Sequence, residues 1–174
     1  MVYKKILGIS AYYHDSAAAL VIDGIVVAAA EEERFTRIKQ DDAFPIHAVE
    51  YCLLHAGLTI TDIDAIVFYD KPILKFERLL QTYFTTWPFG LFSFIQAMLA
   101  WLGGKLWIEQ NIRKALSYEG ALFFTKHHIS HAAGTYYNSG FADSAVVTLD
   151  GVGEWDTTTI AHGKGRDLAI SKSI

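Results

Sequence analysis

The same order of apolar runs and turns appears twice in this sequence, first from residue 5 and again from residue 144. The first copy reads as three strands, joined by a polar loop and by the tight turn Asp23-Gly24, a dipeptide that favours a hairpin. These strands are predicted at residues 5–10, 17–22 and 25–30. The stretch "SAVVTLDGVGEWDTTTIAHGKGRDLAISKSI" repeats the pattern. Two regions that begin alike predict an internally duplicated α/β fold.

Helices and two more strands are predicted between the copies. A helix at 45–56 begins with Pro45 and ends before Gly57, and "DAIVFYD" reads as a strand of a parallel sheet. Three helices, at about 74–85, 91–102 and 106–117, precede the strand "ALFFTK". We predict a first lobe at 1–142, with a helical insertion at about 72–117, and a truncated second lobe at 143–174. Because no helices follow to cover the second sheet, we expect the chain to be part of a longer polypeptide.

Composition excludes some classes of function. The chain has 174 residues, a formal net charge of -4 and 52% hydrophobic residues, so it has no basic surface for nucleic acid. Cys52 is the single cysteine, which rules out a disulfide within the chain and favours a reducing compartment. Polar residues interrupt the apolar run after Lys5, so no signal-peptide core is present. We therefore expect a cytoplasmic protein.

The segment 87–107 is the most apolar part of the sequence, and its length approaches that of a membrane helix. Pro88, Gly90 and the Gly103-Gly104 pair interrupt it, so we do not expect it to enter a membrane. We expect a helical hairpin that is buried against the domain or a partner subunit. A homodimer formed through these helices is one such arrangement.

Three histidines lie within five residues in the stretch "KHHISHAAGTYYNSGF". His127 and His131 are four apart, so on a helix their side chains share one face and can bind one metal ion. Asp150 ends an apolar strand, where it can supply an oxygen ligand. Two imidazoles and a carboxylate suit iron, zinc or manganese. The alternative is a helix start that carries surface histidines, and His128 lies off the shared face, where we expect packing or hydrogen bonding.

Glycines follow the strand-end acid in "LDGVGEWDT". Gly151 and Gly153 would let backbone N–H groups approach an anion, so we predict phosphate binding there. The same letters also fit an ordinary hairpin turn.

The first copy carries its own candidates. His14 and Asp15 lie in the loop between the first two strands, the counterpart of the Asp150 loop, and two such loops facing each other would form a cleft between lobes. His14 is a candidate general base or hydrogen-bond donor there. In "EEERFTRIK", Arg34, Arg37 and Lys39 are candidates for binding a phosphate or carboxylate, although such a run is usually a solvated edge with local ion pairs.

Three stretches together carry a resemblance to a known family: "ILGISAYYHDSAAALVIDGIVVAAAEEERFTRIKQDDAFP", "HHISHAAGTYYNSGF" and "VVTLDGVGEWDTTTI". They closely resemble the N-terminal region of the O-carbamoyltransferases that modify antibiotics and nodulation factors. The resemblance spans nearly the whole chain and is weakest at 74–117. The first domain of that family is similar to the universal tRNA threonylcarbamoyl transferase subunit, which has the duplicated actin-like ATPase (ribonuclease H-like) fold.

The resemblance implies a two-stage reaction. A separate domain would make carbamoyl adenylate from carbamoyl phosphate and ATP, and the actin-like domain would pass the carbamoyl group to a substrate hydroxyl. By motif position, His127, His131 and Asp150 would bind Fe(2+), and His14 would lie at the acyl-transfer site. Asp15, Lys39 and the turn from Gly151 to Gly153 would face the nucleotide. Family members also have the rest of the second lobe, a further aspartate ligand and the adenylate-forming domain, so we expect these 174 residues alone to be inactive.

Two other functions fit parts of the same pattern. A sugar or acetate kinase of this fold also uses two phosphate loops and a cleft, but needs magnesium and no paired histidines. A non-catalytic interaction fragment would use the apolar helices to dock a partner chain. The acceptor hydroxyl and the native metal stay open.

Overall fold

A computed structural model describes residues 3–151 and 154–174. Its strands and helices follow the predicted order, with one short helix that was not predicted. The strands are β1 (Lys5–Ser10), β2 (Ala17–Ile22), β3 (Ile25–Glu31), β4 (Ala65–Phe68), β5 (Ala121–Phe124), β6 (Asp143–Leu149), β7 (Thr158–Lys164) and β8 (Asp167–Ser173). The α-helices are α1 (Glu33–Thr36), α2 (Ile46–His55), α3 (Pro72–Thr86), α4 (Leu91–Leu102), α5 (Ile108–Leu116) and α6 (His127–Ser139), with 3-10 turns at Ile60–Asp62 and Lys105–Trp107.

The first sheet has the strand order β3-β2-β1-β4-β5. β1, β2 and β3 pair antiparallel, while β4 and β5 run parallel to β1. Asp23 and Gly24 both have positive φ, at 51° and 85°, as the predicted tight hairpin turn requires. This order and these directions are those of the ribonuclease H-like fold that actin-like ATPases duplicate, so the predicted fold class is confirmed.

The chain divides into two compact units. The first comprises Met1–Tyr69 and Trp107–Phe124, and it holds the first sheet with α2 and α5. Its core is aliphatic and aromatic: Leu7, Leu20, Ile66, Phe68 and Ile112 are almost wholly buried. The amphipathic pattern of α5 buries its apolar face there, which explains why so polar a helix is stable.

The second unit comprises Asp70–Leu106 and Thr125–Ile174, and it contains the sheet β6-β7-β8. All three strands pair antiparallel, as β1 to β3 do, and both meanders have a register shift in their second pairing. α6 covers this sheet, where Ala132 and Tyr136 pack with Val146 and Ala161. The repetition agrees with the predicted duplication, while the lobe boundary at residue 142 stays a prediction.

α3 and α4 form the predicted helical hairpin within the second unit. Aromatic contacts hold it together: the rings of Tyr83 and Phe94 stack with centroids 3.8 Å apart, and Phe76 contacts Trp101. Its outer face is apolar and exposed, with side chains that include Phe84, Phe89, Phe92 and Leu99. The expected burial of this hairpin against the domain is therefore not seen within the described residues, and burial against a partner subunit stays a prediction. Among the described residues, no helix combines the length and the apolar character needed to cross a membrane.

Candidate metal centre

α6 begins at His127, which fixes how the histidines point. His127 and His131 are one helical turn apart and lie on the same face, with their Nε2 atoms 3.1 Å apart. The side chain of His127 is only 9% exposed, whereas that of His131 is 55% exposed. One imidazole of the pair is therefore buried and the other is exposed to solvent.

Asp150 directly follows β6 and completes the group. Its Oδ2 lies 2.5 Å from His127 Nε2 and 3.9 Å from His131 Nε2, and one ligand atom from each residue lies within 4.8 Å of the others. The Asp150 N–H donates to the carbonyl of Thr157 at 2.9 Å, which closes the loop after β6. Metal bonds of about 2.1 Å would place neighbouring ligand atoms roughly 3.0–3.4 Å apart and opposite ones about 4.2 Å apart. The 3.1 Å and 3.9 Å separations lie within that range, whereas the 2.5 Å contact between His127 and Asp150 is a hydrogen bond that would have to lengthen by about 0.5 Å around a bound ion. Two imidazoles and a carboxylate are a donor set that suits a divalent transition metal, and the exposed side of His131 suits a catalytic site.

Burial also favours the metal-binding form of His127. Desolvation lowers the pKa of this imidazole, and the hydrogen bond with Asp150, which acts in the opposite direction, does not reverse that effect. A metal ion and a proton compete for the same nitrogen, so a lowered pKa leaves the ring neutral and available near pH 7.

A buried carboxyl group that sequence reasoning did not assign lies beside this group. Glu154 is 6% exposed, and its Oε1 accepts the backbone N–H of Lys71 at 2.9 Å. Its carboxyl group also accepts the backbone N–H of His127 and shares a hydrogen bond with Asp70, which pairs with Lys75. Burial raises the pKa of Glu154. The one signal in the sequence was an acid placed shortly after the strand-end Asp150.

His128 has a different role from its neighbours. It is buried, and because the carbonyl of Asp156 can only accept, His128 Nε2 donates to it at 2.7 Å. In the neutral ring Nδ1 then accepts from the Thr148 hydroxyl at 2.6 Å, and Thr148 in turn accepts from Thr159. His128 is thus hydrogen-bonded, as its position off the shared face led us to expect.

The other predicted site residues are placed separately. His14 Nδ1 lies 2.8 Å from Asp15 Oδ2 on the exposed loop after β1, and Lys39 is exposed in the turn after α1; all three belong to the first unit. Gly151 is exposed directly after Asp150, and Gly153 lies outside the described residues. The roles of these five residues, and the cleft, stay predictions.

The basic residues after β3 have, in part, the exposed side chains and local ion pairs expected of a solvated edge. Arg34 pairs with Glu31 at 2.9 Å, and both side chains are exposed. Arg37 has a left-handed backbone with φ 61° at the end of α1. The local ion pair that the charge run suggested is therefore present.

Comparison with known proteins assigns the chain to a family. Residues 5–174 match the family described as carbamoyltransferase N-terminus. An uncharacterised protein of Synechocystis sp., sll1178, is 53% identical over 171 residues, which is 94% of this chain and 28% of that protein. The nodulation protein NolNO of Sinorhizobium fredii is 33% identical over 165 residues, which is 91% of this chain and 22% of that protein.

Among solved structures, YeaZ from Pseudomonas aeruginosa is similar over 98% of this chain and 65% of its own, with a TM-score of 0.48 and 15% sequence identity. This chain spans about a quarter of the length of the two curated relatives. The family match, by contrast, covers all but the first four residues of the chain. It confirms the family resemblance carried by the three stretches of sequence, and the chain belongs to the carbamoyltransferase N-terminus family.

Proposed function

We propose that this chain is the metal-holding part of an O-carbamoyltransferase, which passes a carbamoyl group from carbamoyl adenylate to a substrate hydroxyl. The observation that carries the proposal is the convergence of His127, His131 and Asp150 in a chain of this family. The donor would be made from carbamoyl phosphate and ATP by an adenylate-forming domain. That domain, the rest of the second lobe with a further aspartate ligand, and a small-molecule acceptor are the proposed partners, in the cytoplasm.

The imidazoles of His127 and His131 and the carboxylate of Asp150 would hold Fe(2+), and zinc or manganese would also suit this donor set. The bound ion would supply Lewis acidity at the carbamoyl group. Burial keeps His127 neutral for this purpose. The exposed side of His131 leaves room for a substrate group.

His14 is the proposed base. A carboxylate accepts only, so His14 Nδ1 donates to Asp15, and the neutral ring keeps Nε2 as a proton acceptor. The acceptor oxygen bonds to the carbamoyl carbon, the bond from that carbon to the AMP phosphate oxygen breaks, and the hydroxyl proton passes to Nε2. Lys39 and the Gly151 to Gly153 turn are proposed to contact the phosphates.

Metal analysis of the full-length protein tests the site. After anaerobic purification, we expect near-stoichiometric metal in the wild type and a loss of most of it in the His127→Ala, His131→Ala double variant. His162→Ala is the matched control, because His162 also pairs with an aspartate, Asp143, at 2.8 Å on the surface of the second unit. Metal that is absent from the wild type, or unchanged in the double variant, would refute the metal assignment.

Product analysis tests the reaction. We expect full-length protein to consume carbamoyl phosphate and release AMP only when an alcohol acceptor is present. Release of ADP without any need for carbamoyl phosphate would instead identify a kinase. Turnover that needs no acceptor would identify a hydrolase.

A further inference from the structure

The metal ligands sit on two different elements, and α6 and the loop after β6 must be held together for the site to exist. His127 and His131 belong to α6, whereas Asp150 belongs to the loop. We propose that Glu154 is the positioning residue that fixes α6 against this loop. This inference rests on the proposed metal centre and concerns how its ligands are aligned.

The first step is the capping of α6. The first N–H groups of any α-helix have no partner within the helix. In the described chain, the side chain of Lys126, which precedes α6, does not cap it. The buried carboxyl group of Glu154 accepts the N–H of His127 instead, from 27 positions further along the sequence. Glu154 thereby sets the position of the residue that carries the buried imidazole.

The second step is the connection to Asp150. Glu154 lies four positions after Asp150, in the same loop, so one side chain links the loop that bears the carboxylate ligand to the helix that bears the imidazoles. The same carboxyl group accepts the N–H of Lys71 at 2.9 Å and hydrogen-bonds Asp70. These contacts give Glu154 a fixed orientation and engage its oxygens with protein groups.

The third step separates positioning from direct ligation. The three candidate ligand atoms lie within 4.8 Å of one another, and Glu154 is not among them within the part of the chain that the structure describes. Residues that orient metal ligands change affinity by about 10–100-fold when they are removed, because the ligands remain but are no longer aligned. Removal of a ligand, by contrast, also removes its direct bond to the metal ion.

Cobalt(II) provides the test, because its visible absorption reports ligand geometry independently of catalysis. We would measure the Kd of Co(II), by chelator competition, and its absorption bands in full-length wild type, Glu154→Ala and Glu154→Gln. We expect Kd to rise about 10–100-fold in Glu154→Ala, with shifted bands. Glu154→Gln keeps one carbonyl acceptor, so its affinity for Co(II) should lie between those of the wild type and Glu154→Ala. This second variant also keeps the test valid if Glu154→Ala fails to fold.

Glu32→Ala is the matched control. Glu32 is equally buried and caps α2 in the first unit, where it accepts the N–H groups of His47 and Ala48 at 3.3 Å and 2.9 Å. The Glu32→Ala variant should be less stable than the wild type, but its Kd for Co(II) should change less than about threefold. Unchanged affinity and bands in both Glu154 variants would overturn the inference and leave the metal centre intact. Complete loss of binding in both would identify Glu154 as a ligand, and a wild type that binds no Co(II) would overturn the proposed centre as well.

Discussion

Three histidines of α6 lie within five residues, and their partners give them different chemistry. The Nε2 atoms of His127 and His131 point toward the Asp150 carboxylate, whereas both ring nitrogens of His128 are used by Thr148 and by the Asp156 carbonyl. Sequence spacing alone separates the first two from the third. The hydrogen bonds of His128 with Thr148 and Asp156 show that this third histidine has a structural role.

His128→Ala and His131→Ala should therefore affect different properties, the first the stability of the fold and the second the binding of metal. The first removes the acceptor of the buried Thr148 hydroxyl proton and the donor to the Asp156 carbonyl, and we expect it to lower the free energy of unfolding by about 2–4 kcal/mol. The second removes an exposed side chain and should change that free energy by less than about 0.5 kcal/mol, but it should remove metal binding. Urea denaturation and metal content check both. Equal stability losses in the two variants would contradict the structural role of His128.

That His127, His131 and Asp150 come together could be predicted from sequence, because the geometry that unites them is local. Two histidines at helical spacing and an acid at a strand end follow from the periodicity of single elements. Glu154 could not be found in this way. Its partners His127 and Lys71 lie 27 and 83 positions away, and only the packed chain brings them to it.

At the scale of elements, hydrophobic pattern and turn residues predicted the bounds of the strands and longer helices to within about two residues. The predicted helix at 45–56 is α2, which spans Ile46–His55, and the predicted strand at 25–30 extends to Glu31. The short helix α1 was not predicted, because its residues read as a run of surface charge. Four residues are too few to show a periodic pattern.

A glycine between α6 and its sheet offers a test of element packing. A Cβ at Gly163 of β7 would overlap the ring of Tyr136, whose hydroxyl shares its one proton between the carbonyls of Ala142 and Gly165 and so holds the ring in place. We expect Gly163→Ala to lower the free energy of unfolding by about 1–3 kcal/mol. Thermal and urea denaturation measure this change.

Gly134→Ala is the control for that substitution. Gly134 lies in α6, the helix that carries Tyr136, but a Cβ there would meet nothing within 4 Å. Since alanine favours helices, this variant should be more stable by about 0.5–1 kcal/mol. A Gly163→Ala protein as stable as wild type would mean that Tyr136 can move away from β7.

At the scale of the whole molecule, the exposed face of the α3–α4 hairpin predicts association. Residues 87–104 contain no charged side chain, so two copies of this face can meet without repulsion between like charges. We propose a homodimer formed through it. The double variant Phe92→Ser, Leu99→Ser should weaken self-association at least about tenfold in sedimentation velocity experiments.

Leu54→Ser is the control, since Leu54 is an exposed leucine on α2 of the first unit. It should leave the association constant unchanged. A wild-type chain that stays monomeric at high concentration, or a hairpin variant that associates as wild type does, would contradict the proposed dimer.

The three candidate ligands fall within 24 consecutive residues, on one helix and the start of one loop: His127, His131 and Asp150. Bringing them together closes only a short stretch of chain, at a small entropic cost compared with ligands gathered from distant segments. These three side chains can therefore approach one another before more distant parts of the chain have folded.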